Sequence, residues 1–488
     1  MPDIIELGRH RLAVHAQGTP EAVHGGVILP AGPVAMLHGL GDTDFYRHGW
    51  NSWSPTGWRN LAAEPLRITD PRRRLTADDT AWHEDHRHHS SAVAALDAGN
   101  GDVLLLGSLG LGNPRLAADH DTLSGWYEHG SAPWFAAVGP ETEVFARYSE
   151  LLAKRLGGRR NPPRHRNVWS SWYSYYEDID EHTLLAELPG IASLPFDVVQ
   201  FDDGWQEIVG DWEPNAKFPS GMRHLAAAVE DSGKIPGLWI APFIALPTSK
   251  IVRDRPELFL RDTDGNLAVT GYNWDAGYHS LDLTLPAAQD HLRETITRLT
   301  AWGFRYLKLD FINAAAAPAA RGGDIGREEI YRNALTIVRE AAGDDAYLLG
   351  SGALPLPSLG LIDAIRIGPD VGPTWSYYGL NDPSDAAASN AVAVSAGRLW
   401  LDALYDIDPD VAYFRTRHCL LTTPQRRVIA DLAAACRFRA VSDPPSWLTE
   451  EERAELDAFL RSTPEVQWLD RNRVRIDDRT VEFPTDLP

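Results

Sequence analysis

The sequence predicts a multidomain β plus α/β protein, with an N-terminal β-sandwich, a central (β/α)8 TIM barrel and a short C-terminal β-rich segment. In the first third of the chain, short apolar runs alternate with turn residues, which is typical of antiparallel strands. Apolar strands then alternate with amphipathic helices over roughly 260 residues, which is the span of a barrel. In the C-terminal tail, apolar and polar residues alternate as they do in β-strands. The predicted domains are therefore residues 1–160, 161–440 and 441–488.

The N-terminal domain is predicted from four apolar runs bounded by Gly, Pro, Asp and Asn, namely GGVILP, PVAML, DVLLLGSLGLG and TEVFARY. Within it, the segment HGWNSWSPTGW places three tryptophans, Trp53 among them, in a loop-like context. Aromatic side chains in such a segment favour contact with a sugar face or a neighbouring domain.

The barrel is predicted to follow a linker at NPPRHRN, residues 161–167. Its eight strands are expected in NVWSSWY, VVQF, IPGLWIAPF, HSLDLT, RYLKLDF, YLLGSG, DAIRIGPD and GRLWLDALY. A doubly wound open sheet is the alternative, but no Gly-rich phosphate-binding fingerprint follows any of these strands. The segment TPQRRVIADLAAACRFRA is predicted as a final amphipathic helix, and VQWLDRNRVRIDDRTVEF as two strands.

Composition excludes several classes of partner. The net charge of -22 and pI near 5.2 argue against a nucleic-acid partner, because phosphate binding needs a clustered positive surface. Two cysteines, Cys419 and Cys436, are too few for a disulfide framework and are predicted to be free thiols. Neither a signal peptide nor a membrane span is visible, so a cytoplasmic location is expected. The oligomeric state is left open, a homo-oligomer included.

Polar residues at the strand ends indicate the site, because active sites of such barrels form at the carboxyl ends of the strands. In RYLKLDF, alternation places Lys308 and Asp310 on one face, and a buried Lys–Asp pair is costly unless it has partners or a function. The adjacent Asp202 and Asp203 end another strand. Single acidic residues such as Asp178, Asp180 and Asp382 are instead predicted to be helix N-caps.

A second carboxylate follows the seventh predicted strand. Gly368 and Pro369 interrupt that strand and place Asp370 in a turn, with the cation Arg366 four residues earlier. Two carboxylates facing one pocket are the arrangement of a glycosidase, and their separation distinguishes retaining from inverting enzymes.

The ordered motifs WSSWYSYYEDID, VVQFDDGWQ, IPGLWIAPF, SLDLT, YLKLDF, RIGPDVGPTW and DPD, with GWNSWSP before them, closely resemble the α-galactosidases of glycoside hydrolase family 36. The resemblance covers roughly residues 165–415. It implies a retaining enzyme that cleaves terminal α-galactosyl residues of an oligosaccharide or glycoconjugate, with no metal and no cofactor.

Site residues follow from the same resemblance. Asp310 is implied as the nucleophile and Asp370 as the acid/base. The implied substrate-binding residues are Asp202 and Asp203 for the 4- and 6-hydroxyls, Lys308 and Arg366 around the ring, Trp172, Tyr173 and Trp274 as pocket walls, and Trp53 reaching in from the β-domain.

One departure keeps other functions open. Ser351 stands where close relatives commonly have Cys, in a turn expected near the sugar's 2-position. An α-N-acetylgalactosaminidase or an α-galactosyl transglycosidase on the same scaffold therefore remains an alternative. A catalytically inactive sugar-binding homologue would have lost Asp310 or Asp370, and both are present. A barrel of the α-glucosidase type is less compatible with the paired Asp202 and Asp203.

Overall fold

A computed structural model of the chain describes residues 3–78, 85–162, 166–319, 324–376 and 382–487. Among these residues, the helices α1 (Pro71–Ala77) and α2 (Glu141–Leu156) accompany the N-terminal strands. Those strands are β1 (Asp3–Leu7), β2 (His10–His15), β3 (Glu21–Val23), β4 (Gly26–Leu29), β5 (Val34–Leu37), β6 (Asp44–Arg47), β7 (Gly57–Asn60), β8 (His88–Ser91), β9 (Val93–Gly99), β10 (Asp102–Ser108), β11 (Pro114–Ala118), β12 (Thr122–Tyr127) and β13 (Trp134–Pro140).

Within the described residues, these strands form two antiparallel sheets, in the orders β1-β2-β5-β12-β11-β8 and β3-β4-β13-β10-β9-β6-β7. Met36 of the first sheet shares an apolar core with Leu104 and Leu106 of the second. The alternate residues Val103 and Leu105 join the larger core that continues into the next part of the chain. Both faces of β10 are therefore buried, which explains why its sequence is continuously apolar.

The run TEVFARY is helical, not a strand as predicted, because it lies inside α2. The buried residues Val144, Phe145, Tyr148, Leu151 and Leu152 recur at a helical spacing that extends beyond the run itself. The helix packs this face against β10 and β13.

The central part of the chain alternates strands and helices. Its strands are β14 (Arg166–Ser170), β15 (Val198–Phe201), β16 (Gln206–Ile208), β17 (Asp211–Pro214), β18 (Ile235–Ile240), β19 (Ile244–Ala245), β20 (Gly271–Asn273), β21 (Ala276–Ser280), β22 (Tyr306–Leu309), β23 (Tyr347–Gly350), β24 (Ala364–Arg366), β25 (Asp406–Asp408), β26 (Val411–Ala412) and β27 (Phe438–Val441). Its helices are α3 (Trp172–Tyr175), α4 (Glu181–Ala192), α5 (Met222–Asp231), α6 (Lys250–Asp254), α7 (Pro286–Ala301), α8 (Arg327–Ala342), α9 (Ala388–Ala396) and α10 (Thr423–Ala435).

A parallel sheet runs in the order β25-β24-β23-β22-β18-β15-β14-β27-β26 within the described ranges. Its first and last strands, β25 and β26, are separated in the chain by only Pro409 and Asp410. The two ends of the sheet are therefore joined, and the sheet curls into a TIM-like domain. The carboxyl ends of its strands meet on one side, which positions the site described below.

Two predicted barrel strands differ from the structure. HSLDLT contributes only to β21, which pairs antiparallel with β19 and β20 outside the barrel. GRLWLDALY contains a short 3-10 helix, Leu399–Ala403, instead of a strand. The last strand of the parallel sheet along the chain is β27, in the segment predicted as the end of a helix. Arg437 has a φ of 55°, a left-handed conformation that stops α10 and lets FRAV extend.

The C-terminal region has helix α11 (Glu450–Arg461) followed by β28 (Val466–Asp470), β29 (Arg473–Ile476) and β30 (Arg479–Glu482). The tail therefore forms an antiparallel sheet in the order β28-β29-β30, where two strands were predicted. Arg471, in its first turn, pairs with Asp44 at 3.0 Å and with Asp97, and lies over Trp58. Among the described residues, no helix is long and apolar enough to cross a lipid bilayer.

Candidate active site

A cavity of about 250 Å³ lies over the carboxyl ends of the parallel strands. Aromatic rings and carboxylates dominate its wall, a combination suited to a sugar, whose apolar ring faces stack and whose hydroxyls donate hydrogen bonds. The lining residues are Trp53, Arg73, Thr76, Trp172, Asp202, Asp203, Trp239, Tyr272, Asn273, Trp274, Lys308, Asp310, Phe311, Asp370, Ser384 and Ala386.

Asp310 directly follows β22 and is held by two donors. The indole Nε1 of Trp239, on the neighbouring strand β18, donates to Oδ2 at 3.0 Å, and the backbone N–H of Phe311 donates to Oδ1 at 2.8 Å. The N–H of Asp310 itself continues the ladder to Ile240 O at 2.8 Å. Because both carboxylate oxygens accept hydrogen bonds, the side chain is fixed and its charge is stabilised in a buried position.

Lys308 lies on the same face of β22, as alternation predicts, but its direct partner is Asp202. Lys308 Nζ is 2.8 Å from Asp202 Oδ2, and both side chains are buried. Burial is the largest single effect and opposes the lysine charge, but the carboxylates of Asp202, Asp310 and Asp410 together outweigh it, and the pKa of Lys308 lies above its ordinary value. The expected pairing of Lys308 with Asp310 is therefore indirect, and Trp239 supplies the contact that sequence reasoning missed.

Asp202 and Asp203 both face the cavity because the chain turns sharply after β15. Gly204 has a φ of 112°, and a Cβ there would lie 2.6 Å from the Glu177 carbonyl, so only glycine fits. Trp274 Nε1 donates to Asp203 Oδ2 at 2.8 Å. Burial raises the pKa of Asp203 to about 6, while the hydrogen bonds from Gln206 and Trp274 oppose the shift.

Asp370 is held more loosely than the other carboxylates of the cavity. Its hydrogen-bond contact with a described residue is with Arg366 Nη1, at 3.4 Å. Arg366 is shared with two further buried carboxylates, Asp408 and Asp410, each at 3.0 Å. Burial raises the pKa of Asp370 to about 7, and the negative charge of Asp410 adds to that effect, whereas Arg366 and Lys308 oppose it. This carboxyl group is therefore suited to hold a proton near neutral pH.

One wall of the cavity comes from the N-terminal part of the chain. Helix α1 begins after the N-cap Asp70 and brings Arg73 and Thr76 to the cavity. Asp382, predicted as a helix N-cap, instead accepts hydrogen bonds from the backbone N–H and the hydroxyl of Thr69, both at 2.6 Å. Arg73 pairs with Asp385. Sequence reasoning missed Arg73 because 312 residues separate it from Asp385. It missed Thr76 as well, because PRRRLTA reads as an ordinary surface helix.

Three predicted substrate-binding residues are not on the cavity wall. The Tyr173 hydroxyl lies behind the cavity wall and donates a hydrogen bond to Asp410. Arg366 lies beneath Asp370, where the three carboxylates hold it. Ser351 is 1% exposed and continues the β22–β23 ladder through its N–H, which donates to Leu309 O at 2.7 Å. The other predicted residues, Trp53, Trp172 and Trp274 included, line the cavity.

No cluster of three or more His, Cys, Asp or Glu side chains in the described ranges is arranged to hold a metal ion. The carboxylates of the cavity are engaged by Lys308, Arg366, indole N–H groups and backbone N–H groups. The arrangement offers two carboxylates in contrasting environments, Asp310 firmly held and Asp370 able to bind a proton, which is the basis of acid-assisted displacement at an acetal carbon.

Residues 132–339 match the family model described as melibiase. A segment of 210 residues is 29% identical to the α-galactosidase AgaA of Geobacillus stearothermophilus and spans 27% of that protein's length. The α-galactosidase TtGalA of Thermus thermophilus, solved with p-nitrophenyl α-D-galactopyranoside, is 40% identical over 99% of both chains, with a TM-score of 0.92. The structure of TtGalA in complex with stachyose is 42% identical to this chain, over 94% of this chain and 99% of the TtGalA chain, with a TM-score of 0.88. The chain therefore belongs to the melibiase family of α-galactosidases, glycoside hydrolase family 36.

Proposed function

We propose that the protein is a retaining α-galactosidase, which removes terminal non-reducing α-D-galactosyl residues by double displacement. The observation that carries the proposal is the contrast between Asp310 and Asp370 in one cavity. Asp310 has both oxygens engaged by N–H donors, whereas Asp370 has a pKa of about 7 and, among the described residues, one long contact, to Arg366. Such a pair divides the roles of nucleophile and acid.

In the first step, an oxygen of Asp310 attacks the anomeric carbon while the bond to the leaving oxygen breaks. Asp370 gives its proton to that oxygen, and a covalent galactosyl ester forms on Asp310. The N–H groups of Trp239 and Phe311 hold the attacking carboxylate in place. In the second step, Asp370 takes a proton from water, the water oxygen bonds to the anomeric carbon, and the ester bond breaks with net retention.

The charge balance of the cavity supports the role of Asp370. Carboxylates outnumber cations among the described residues in and directly behind the wall. The cations are Lys308, Arg366 and Arg73, and the carboxylates are Asp202, Asp203, Asp310, Asp370, Asp385, Asp408 and Asp410. Like charges in a desolvated site cannot all ionise. Asp370 receives the weakest hydrogen bonding of the group, and it is the one we expect to carry a proton before substrate reacts.

The remaining wall residues are proposed to bind the galactosyl ring. Asp202 and Asp203 accept hydrogen bonds from its 4- and 6-hydroxyls, and Lys308 donates to a ring hydroxyl from its position beside Asp202. Trp172 and Trp274 cover the ring faces. Arg366 and Tyr173 act behind Asp370, in contrast to the direct ring contacts that the resemblance implies.

A 2-acetamido substrate was the main alternative because of Ser351. Ser351 is buried and is not among the residues that line the cavity, so it gives no support to that substrate over galactose. Comparing nitrophenyl α-galactoside with its 2-acetamido analogue tests the choice, and adding a sugar acceptor measures how much transglycosylation accompanies hydrolysis.

Replacing each carboxylate separately tests the mechanism. With p-nitrophenyl α-galactoside, Asp310→Gly is expected to lose hydrolysis, and azide should restore reaction by attacking the vacated face, giving β-galactosyl azide. In Asp370→Gly the nucleophile remains, so azide should instead react with the galactosyl ester and give α-galactosyl azide. Full activity of Asp310→Gly without azide, or the same anomer from both variants, would sink the proposal.

The proposal includes the finer architecture. We take the parallel sheet to be a closed (β/α)8 barrel in which β25 and β26 are one strand interrupted at Pro409–Asp410. The two antiparallel sheets before it form a β-sandwich, and the divisions remain 1–160, 161–440 and 441–488, although the last barrel strand ends at Val441, one residue past the second boundary. A cytoplasmic location is retained as part of the same proposal.

A further inference from the structure

Asp410 occupies the point where the two ends of the parallel sheet are joined, between β25 and β26. Its φ is 80°, a left-handed conformation that side chains other than glycine seldom adopt. Its side chain is buried, with 1% exposed. A strained backbone and a buried charge at one residue indicate that the surrounding structure holds this carboxylate for a purpose.

The carboxylate of Asp410 gathers several donors. Oδ2 accepts from the backbone N–H of Val371 at 3.0 Å and from the Tyr173 hydroxyl, and it lies 3.0 Å from Arg366 Nη1. Oδ1 accepts from the backbone N–H of Val411 at 2.9 Å. Asp410 thus connects α3, β24 and the turn after β24 through a single side chain.

Two of these contacts bear directly on Asp370. Val371 is the next residue in the chain, so its hydrogen bond to Asp410 fixes the turn that carries the Asp370 side chain. Arg366 lies closer to Asp410 and Asp408, at 3.0 Å each, than to Asp370, at 3.4 Å. The cation that would otherwise stabilise ionised Asp370 is therefore held mainly by other carboxylates.

We propose that Asp410 is a positioning residue for the acid/base Asp370. It holds the Asp370–Val371 turn, draws Arg366 away from Asp370 and places a like charge beside it, so that Asp370 keeps its proton until the leaving oxygen takes it. The inference rests on the proposed function, because it assumes that Asp370 is the acid. It adds to that function the residue that prepares the acid.

Several titratable and charged groups surround Asp370. Those that act on it are Lys308 from β22, Asp310 directly after β22, Arg366 from β24, Asp410 between β25 and β26, and Tyr173 and Tyr176 from α3 and its end; Asp408 lies behind Arg366. Burial contributes most to the raised pKa of Asp370, and Asp410 is the next largest cause, ahead of Asp310.

The test compares Asp410→Asn with the wild-type enzyme. The dependence of kcat/KM on pH is measured with stachyose, whose leaving group needs a proton. Loss of the Asp410 charge favours ionised Asp370, so the alkaline limb should move to lower pH by about one unit or more. Activity should then fall at pH 7 and recover largely near pH 5. A merely structural defect would lower the profile evenly at all pH values, and that result would overturn the inference.

Asp408→Asn is the matched control. It removes a nearby carboxylate that pairs with the same Arg366, but Asp408 makes no hydrogen bond to Val371 or Tyr173. Its alkaline limb should move less than that of Asp410→Asn, and an equal or larger shift would overturn the inference. Asp410→Ser removes the charge without placing an amide donor beside the Val411 N–H, and replaces the asparagine variant if thermal unfolding shows that variant to be misfolded.

A third variant separates this inference from the proposed function. Asp370→Asn, assayed on p-nitrophenyl α-galactoside, whose leaving group needs little help, should lose the alkaline limb that the wild-type enzyme shows. If the limb persists in Asp370→Asn, Asp370 is not the acid and the proposed function fails. If it is lost there but unmoved in Asp410→Asn, only the role of Asp410 fails.

Discussion

The ion cluster at the end of α1 makes a quantitative prediction about stability. Asp78 follows this helix, and its carboxylate accepts hydrogen bonds from Nη1 and Nη2 of Arg327, at 3.0 and 2.6 Å. It also accepts a hydrogen bond from Arg115. Glu128 accepts from the same two arginines, at 2.8 and 2.9 Å. The cluster thereby ties α1, which carries Arg73 into the cavity, to β11 and to the start of α8.

Asp78→Asn keeps the shape of the side chain and removes its charge. The Arg115 side chain is 4% exposed and that of Arg327 is 15% exposed, so neither guanidinium can replace the lost carboxylate with water by rotating to the surface. Breaking a buried pair in this way costs about 3 kcal/mol. For a chain of this length, that corresponds to a fall of about 3 °C in the unfolding midpoint if the chain unfolds as one unit.

The effect should depend on pH. Burial raises the pKa of Asp78, but Arg115 and Arg327 outweigh it and the pKa lies below its ordinary value of 3.8. A lowered folded-state pKa gives stability that is present above 3.8 and disappears as the carboxylate is protonated. The difference between Asp78→Asn and wild type is therefore expected in full at pH 7 and should shrink below about pH 4.

Differential scanning calorimetry at pH 7 measures the difference. The matched control is Asp290→Asn, which breaks an exposed 2.7 Å pair with Arg293. That change should cost less than about 1 kcal/mol. Equal midpoints for Asp78→Asn and Asp290→Asn would refute the reasoning that burial makes the difference.

Three further predictions concern the cavity. Trp274→Phe removes the indole N–H that donates to Asp203. Because one hydrogen bond to a charged group is lost, KM for p-nitrophenyl α-galactoside should rise roughly tenfold. An unchanged KM would contradict this prediction. Arg73 lines the cavity from α1, and Arg73→Ala should lower kcat/KM several-fold for stachyose and little for the nitrophenyl substrate; equal losses for the two substrates would count against this prediction. Because the pKa of Asp370 is about 7, kcat/KM of the wild-type enzyme on stachyose should fall roughly tenfold for each pH unit above pH 7. A pH profile that stays flat to about pH 9 would be incompatible with Asp370 as the acid.

Local pattern was sufficient for part of the fold. Strand alternation in RYLKLDF correctly predicted that Lys308 and Asp310 share a face, and both line the cavity. The parallel βα rhythm correctly indicated a TIM-like domain, and Asp180 caps α4 as expected. These features depend on residues within a few positions of one another, where side-chain period and capping chemistry decide the outcome.

Features that depend on distant contacts were not predictable. Asp382 reads as a helix cap, but its partner is Thr69, and the two meet only because the N-terminal part of the chain packs on the barrel. Trp239 reads as a core strand residue, yet its indole N–H turns to Asp310 on the next strand. The role proposed for Asp410 needs the sheet to close on itself, and no local pattern reveals which residue will lie at the junction.

The most direct test of the central claim is to identify the residue that becomes covalently bound to the sugar. An activated fluorinated α-galactoside that slows the second step should inactivate the enzyme and add one fluorogalactosyl unit to its mass. Peptide mass spectrometry is expected to locate that unit on Asp310. Label on Asp370, or turnover that releases β-galactose first with no label at all, would contradict double displacement through Asp310.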